Sequence, residues 1–165
     1  GAAISLMDSS SLADKELFEM YEIDDKKDFS NAIVGKKIDS TYLIKALFEH
    51  ANNGDLPAIS VLETSGEHMA RSIAGVIKEL NIKEPINVIL AGSVWAKATN
   101  FAMLNKFKKV VCELSNKKCN FIVLKEPPVL GAILWALELA NGELPDKELK
   151  AKVLENIINY QNSIN

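Results

Sequence analysis

The residues of this chain best placed for chemistry lie in Ile89-Leu-Ala-Gly-Ser-Val-Trp95, an apolar run that ends in a glycine and a hydroxyl. In α/β proteins, a glycine at the carboxyl end of a buried parallel strand, followed by a helix, is a common ligand-binding position. The first amides of the helix have no internal partner and carry partial positive charge, which suits an anion such as phosphate. Ser93 adds a hydroxyl, and the indole of Trp95 is either a platform for a base or a packing residue. A second apolar run, Phe121-Ile-Val-Leu124, precedes Pro127-Pro-Val-Leu-Gly-Ala132. Together the two segments suggest half of a nucleotide-binding lobe, with the residues that perform chemistry lying elsewhere.

Other reactive side chains form no obvious constellation. Cys112 and Cys119 are the only cysteines, and their C-x6-C spacing matches no common zinc or redox pair. They read as two buried or half-buried thiols in a reducing compartment, with the cytoplasm as the default. His50 and His68 fall on different predicted helices. Glu63, Glu67 and Arg71 share a helix face at four-residue spacing, the pattern of a solvated ion-pair row. Thr64 and Ser65 are adjacent hydroxyls with no base implied by spacing, and Lys106-Phe-Lys-Lys109 reads as the solvent edge of a helix.

The elements that must position the glycine turn follow from capping and periodicity. Ser9 to Ile23 reads as a helix capped by Ser10 or Ser11, with Leu12, Leu17, Phe18 and Tyr21 on one side. Asp24 to Lys27 is a charged break, and Asp28 to Lys37 is ambiguous. Asp39-Ser40 caps a helix that carries Leu43, Ala46, Leu47 and His50 and stops at Asn52-Asn-Gly54. Asp55 starts the next helix, where Pro57 is tolerated because early helical amides have no internal partner. Ile59, Leu62, Met69, Ile73, Val76, Ile77 and Leu80 give that helix an apolar stripe up to Asn81. Gly66 and Gly75 inside it cost about 1 kcal/mol each relative to alanine, which predicts close packing of a neighbour at both.

Ile86 to Ala91 has the near-continuous apolar character of a strand covered on both faces. A helix with Phe101, Leu104, Phe107, Val111 and Leu114 as its buried stripe is expected after Gly92-Ser93. Asn120 to Leu124 is the second strand, and Val129 to Ala140 a helix ended by Asn141-Gly142. Leu144-Pro-Asp146 opens a final amphipathic helix with Leu149, Val153, Leu154, Ile157 and Ile158. The strand–helix–strand–helix order implies parallel strands. Two strands do not make a stable sheet, so either Ala2 to Met7, the Ala32 region or a missing part of the protein supplies the rest.

Length and composition bound the whole. At 165 residues the chain is one domain by length, and 25% charged with 48% hydrophobic residues is ordinary for a globular protein. A net charge of -3 without a basic block gives no sign of nucleic-acid or membrane binding. The longest nearly uncharged run, Pro127 to Leu137, is too short to span a bilayer, and the first residues do not read as a signal peptide. The glycine at position 1 fits a processed or recombinant end, and hence a piece of a longer protein.

Gly92-Ser93-Val94-Trp95 after an apolar strand resembles the adenosine-side loop of N-acetylglucosamine kinases. Their broader relatives are the benzoyl-CoA-reductase-type ATPases, in the superfamily of actin, sugar kinases and heat-shock chaperones. Asn53-Gly54-Asp55 with Ala58 is similar to the family's "GD" helix junction, and Met69 to Val76 to the helix under the nucleotide. Pro128-Val-Leu-Gly-Ala132 with Ala136 resembles the segment that opens the penultimate helix. The resemblance covers about residues 40 to 142.

It implies the carboxyl-terminal half of an actin-like, ribonuclease-H-like α/β fold: helix-rich, with a small mainly parallel sheet, and one lobe spanning residues 1–165. It implies an ATP site in which Gly92, Ser93 and Val94 lie against the adenosine or α-phosphate, with Trp95 nearby. Gly131 and Ala132 would let the last strand–helix junction pack closely beside that loop. In the complete enzyme ATP and Mg2+ would serve phosphoryl transfer to an amino-sugar hydroxyl, with the base in the other lobe. The chain departs from the pattern in three ways. Ser93 stands where relatives usually have a second glycine. Ala96-Lys97 does not follow the expected Lys-Ser order. No glycine-rich phosphate loop, catalytic aspartate region or metal ligand is recognisable. The chain alone is therefore expected to be catalytically silent. The alternatives are a lobe of an ATPase that activates a 2-hydroxyacyl-CoA dehydratase or benzoyl-CoA reductase, and a non-catalytic binding module, for instance a homodimer.

Overall fold

A computed structural model describes Lys15, residues 18–35 and residues 39–163. The Ser10 or Ser11 cap and the Ala2 to Met7 strand lie outside the described residues. Residues 18–20 are helical, and Ile23 is buried under Phe18, Tyr21, Ala32 and Leu43. The ambiguous stretch that follows is a helix, α1 (Lys26–Val34), whose first turn is capped by Asp25 Oδ1 accepting from the Lys27 amide at 2.9 Å. The Ala32 region is therefore no strand.

The next two helices begin and end where their caps predict. Helix α2 (Ser40–Asn52) starts at Asp39, whose carboxylate accepts from the Thr41 amide at 2.8 Å. Gly54, at φ 84°, turns the chain in a conformation that glycine adopts without strain. Helix α3 (Leu56–Glu79) starts at Asp55, whose side chain accepts from the Ala58 amide at 3.2 Å.

Strand β1 (Ile86–Leu90) leads into a single helical turn, α4 (Ser93–Ala96), and then α5 (Ala102–Ser115). Strand β2 (Cys119–Val123), α6 (Pro128–Asn141) and α7 (Lys147–Ser163) complete the chain. Asp146 caps α7 by accepting from the Leu149 amide at 2.8 Å. The described residues form two compact units. One holds the residues up to Val88 together with Lys97–Phe121, and the other holds Ile89–Ala96 and Ile122 onward.

In the first unit the principal packing is α3 against α5, with α2 also on α3. The face that α3 buries is Ala58, Leu62, Gly66, Ala70, Ala74 and Ile77. This corrects the expected stripe, since Met69 and Val76 are exposed. Small residues at i, i+4 and i+8 let the two backbones approach, so the alanines, not the larger apolar residues, form the seam. Gly66 is the tightest point, because a Cβ there would overlap the carbonyl oxygen of Met103. Gly75 has open space around it, so the close neighbour expected there is absent among the described residues. Helix α5 buries Met103, Phe107, Val110, Val111 and Ser115, while Phe101, expected in that stripe, is 61% exposed just outside the helix. Of the predicted ion-pair row, Glu67 and Arg71 pair: Glu67 accepts from Arg71 at 2.6 Å, and it also pairs with Lys106 of α5 at 3.3 Å. Those two cations, Arg71 first, hold the Glu67 carboxyl below its ordinary value.

The two strands pair in parallel. Glu84 accepts from the Lys118 amide ahead of the strands, Asn120 donates to Asn87 within them, and the Leu124 amide donates to the Leu90 carbonyl at their ends. Ile86, Val88 and Leu90 are buried, whereas Asn87 and Ile89 are exposed. The strand is therefore covered on one face, not two. Ile122 and Leu124 of the second segment are likewise exposed. In the second unit α6 packs against α7, yet Leu130 is its only buried residue, and Trp135 and Leu139 stand largely in solvent. Among the described residues no helix is long and apolar enough to cross a membrane.

Candidate nucleotide site

Strand β1 delivers its carboxyl end to Ala91 and Gly92. Gly92 is exposed, has φ 110°, and a Cβ built on it would meet nothing within 4 Å. The glycine is thus required by its backbone conformation and not by crowding. The open space above it is what a close-lying ligand needs. Ser93 is exposed beside it, while Val94 and Trp95 are half-buried. The turn is held from within: the Gly92 carbonyl accepts from the amides of Trp95 at 3.1 Å and Ala96 at 3.0 Å.

The helix expected after this turn is interrupted. One turn, α4, is followed by a non-helical stretch, and the long helix starts only at Ala102. A single turn sums few peptide dipoles, so the charge that a long helix would focus on an anion is largely missing here. The turn suits close approach of a neutral group better than capture of a phosphate. Lys97 is exposed at the end of the turn.

Gly131 is in the first turn of α6, which Pro127 opens by accepting the Leu130 amide at 2.9 Å. Both Gly131 and Ala132 are exposed, and a Cβ on Gly131 would meet nothing within 4 Å. The close junction expected at this glycine is absent among the described residues. The structure thus places Gly92, Ser93, Val94 and Trp95 on one turn, and Gly131 at the start of α6 in the same compact unit.

One arrangement is not apparent from periodicity. In the first unit, Asn52 at the end of α2 donates to Thr99 Oγ1 at 3.0 Å and accepts from Asn100 Nδ2 at 3.1 Å. Asn100 in turn accepts from the Ala102 amide at 2.9 Å, at the start of α5. This network fixes the stretch that follows α4. Its only trace in the sequence is the polar Thr99-Asn100 pair inside a span that otherwise reads as helix.

With this geometry in hand, the family model that matches is that of the ROK family, over residues 30–138. The match takes in about two-thirds of the sequence. The chain belongs to the ROK family. Comparison with curated proteins and with solved structures gives no match. The ROK family includes sugar kinases and actin-like ATPases, and its actin-like fold agrees with the helix-rich α/β arrangement and small parallel sheet seen here. The ROK span encloses both the Gly92–Trp95 turn and Gly131, and leaves α7 outside. The family named is the sugar-kinase-containing one, and not the benzoyl-CoA-reductase-type ATPases that the motifs also resemble.

Proposed function

We propose that this ROK-family chain is the adenosine-side lobe of an ATP-dependent, N-acetylglucosamine-kinase-like enzyme. The complete protein transfers the γ-phosphoryl group of ATP to a hydroxyl of an amino sugar, and this chain supplies one wall of the nucleotide site. The observation that carries the reading is the Gly92 turn: an exposed, side-chain-free position at the carboxyl end of a parallel strand, inside the span that matches the family. The residues present fit an adenosine. Gly92 admits a ribose or purine edge, Ser93 offers a hydroxyl for a hydrogen bond, and the Trp95 indole has the apolar face that a base stacks on.

Among the described residues no group of three or more His, Cys, Asp or Glu could hold an ion, so no step through Mg2+ is assigned to this chain. In this reading the carboxylate base and the phosphate-binding loop belong to the other lobe.

The test is the affinity for ATP of the chain and of its Gly92→Val variant, each measured by isothermal titration. A branched side chain at φ 110° costs about 1–3 kcal/mol of backbone strain and fills the space above the turn. ATP affinity is expected to fall at least about tenfold, the equivalent of about 1.4 kcal/mol. Equal affinity in a folded variant would remove Gly92 from the site.

A further inference from the structure

We propose that Asn52 is a positioning residue for the Gly92–Trp95 turn, which it holds through the short link that follows; its effect on ATP rests on the nucleotide reading above. The chain leaves the helical conformation after the single turn α4 and returns to it only at Ala102. The turn therefore does not take its orientation from α5, as it would in a continuous helix. Two anchors set it instead. At Ala96 the backbone is tied to the turn itself, because the amide donates to the Gly92 carbonyl at 3.0 Å. At Thr99 and Asn100 the chain is tied to Asn52, whose Nδ2 donates to Thr99 Oγ1 at 3.0 Å and whose Oδ1 accepts from Asn100 Nδ2 at 3.1 Å. Only Lys97 and Ala98 lie between the two anchors.

Asn52 is itself well fixed. It is the last residue of α2 and directly follows Ala51, which is buried, as is Phe48 one turn earlier. The Asp55 amide donates to the His50 carbonyl, so the end of α2 is joined to the residue that caps α3. The Asn52 carboxamide offers a donor and an acceptor side by side, and the latch uses both. Asn100 carries the constraint onward, since its own Oδ1 accepts from the Ala102 amide at 2.9 Å. Asn52 and Thr99 are exposed, so water could serve either side chain, yet they bond to each other across 47 positions. Such bonds fix a loop, where backbone ladders fix helices. The coupling runs along the covalent chain and needs no contact between Asn52 and the turn. With the latch open, the whole stretch from Lys97 to Phe101 separates α4 from any anchor. The turn then spends part of its time in orientations that do not bind, and apparent affinity falls by the fraction that remains competent.

The test uses a Trp135→Phe background, which leaves Trp95 as the sole tryptophan and changes a side chain that is 65% exposed. Acrylamide quenching of Trp95 and titration with ATP are compared for Asn52→Leu, Thr99→Val and Thr99→Ser. Asn52→Leu and Thr99→Val are expected to raise the Trp95 quenching constant and to weaken ATP about three- to tenfold, the range for losing one or two exposed hydrogen bonds. Thr99→Ser keeps the hydroxyl and should match the background. The urea midpoint should move little in all three, because these are surface positions. Unchanged quenching in Asn52→Leu and Thr99→Val overturns the proposal, and so does raised quenching with unchanged ATP affinity. Raised quenching in a chain whose background binds no ATP supports the latch and removes the nucleotide reading instead. If Asn52→Leu fails to fold, Thr99→Val against Thr99→Ser decides the matter.

Discussion

Phe107→Ala is expected to destabilise the chain by about 3–5 kcal/mol, the range for removing a large aromatic side chain from a packed core. Phe107 is among the largest fully buried side chains, at 1% exposure. It lies on the buried face of α5, the helix that packs on α3, and meets Phe121 of β2 edge to face, with ring centroids 5.9 Å apart. Truncation removes its own transfer free energy, leaves a cavity in the core, and loses the aromatic pair, itself worth about 0.5–1.5 kcal/mol. At this chain length the melting temperature should fall by about 10 °C. The check is urea denaturation followed by far-ultraviolet circular dichroism, with Ile122→Ala on the exposed face of the same strand as the control, which should change little. A loss at Phe107 no larger than at Ile122 would mean that the α3–α5 seam is not the core.

Gly66→Ala should lower stability by about 2 kcal/mol, although alanine is the better helix former. A Cβ at Gly66 overlaps the Met103 carbonyl oxygen and also comes within 3.1 Å of the Met103 carbonyl carbon. These are backbone atoms in the first turn of α5, so no side chain can rotate out of the way. Separating α3 from α5 enough to admit the methyl costs about 1–3 kcal/mol of overpacking and loosens the alanine seam below it, which outweighs a propensity gain of about 1 kcal/mol. Gly75→Ala in the same helix meets nothing within 4 Å and should stabilise by about 0.4–1 kcal/mol. The two substitutions are chemically identical and are expected to move the urea midpoint in opposite directions. A gain at both would show that α3 and α5 do not approach as closely as described.

These two glycines also show how far the sequence could be read. Each is visible as a helix interruption, and periodicity alone predicts a close neighbour at both. The neighbour's position depends on how α5 crosses α3, which no pattern within α3 contains. The same cause moved the buried face from Met69 and Val76 to Ala70 and Ala74, because a hydrophobic stripe is read from large residues while a close helix crossing is built from small ones. Capping chemistry was legible at several helix ends: Asp39 and Asp55 cap the helices they were expected to cap, and Gly54 and Gly142 take the positive φ that ends a helix, whereas the Asp25 cap of α1 was not. The near-continuous apolar character of β1 suggests two covered faces, whereas the polar Asn87 and the apolar Ile89 both stand on an exposed one.

At the site, the strand, the glycine and the turn were legible from Ile89 to Trp95. The break after α4 was not, since the Asn52–Thr99–Asn100 network that follows it joins residues nearly fifty positions apart. The motif resemblance led to a kinase-like ATPase, and the ROK match agrees with that level of description.

The most direct test of the adenosine wall is photolabelling with an azidoadenosine form of ATP, followed by peptide mapping of the attachment point. Label is expected on the peptide containing Gly92, Ser93, Val94 and Trp95, competed away by unlabelled ATP. Label confined to peptides of α2 or α7, or label at the Gly92 turn that excess ATP does not displace, would contradict it.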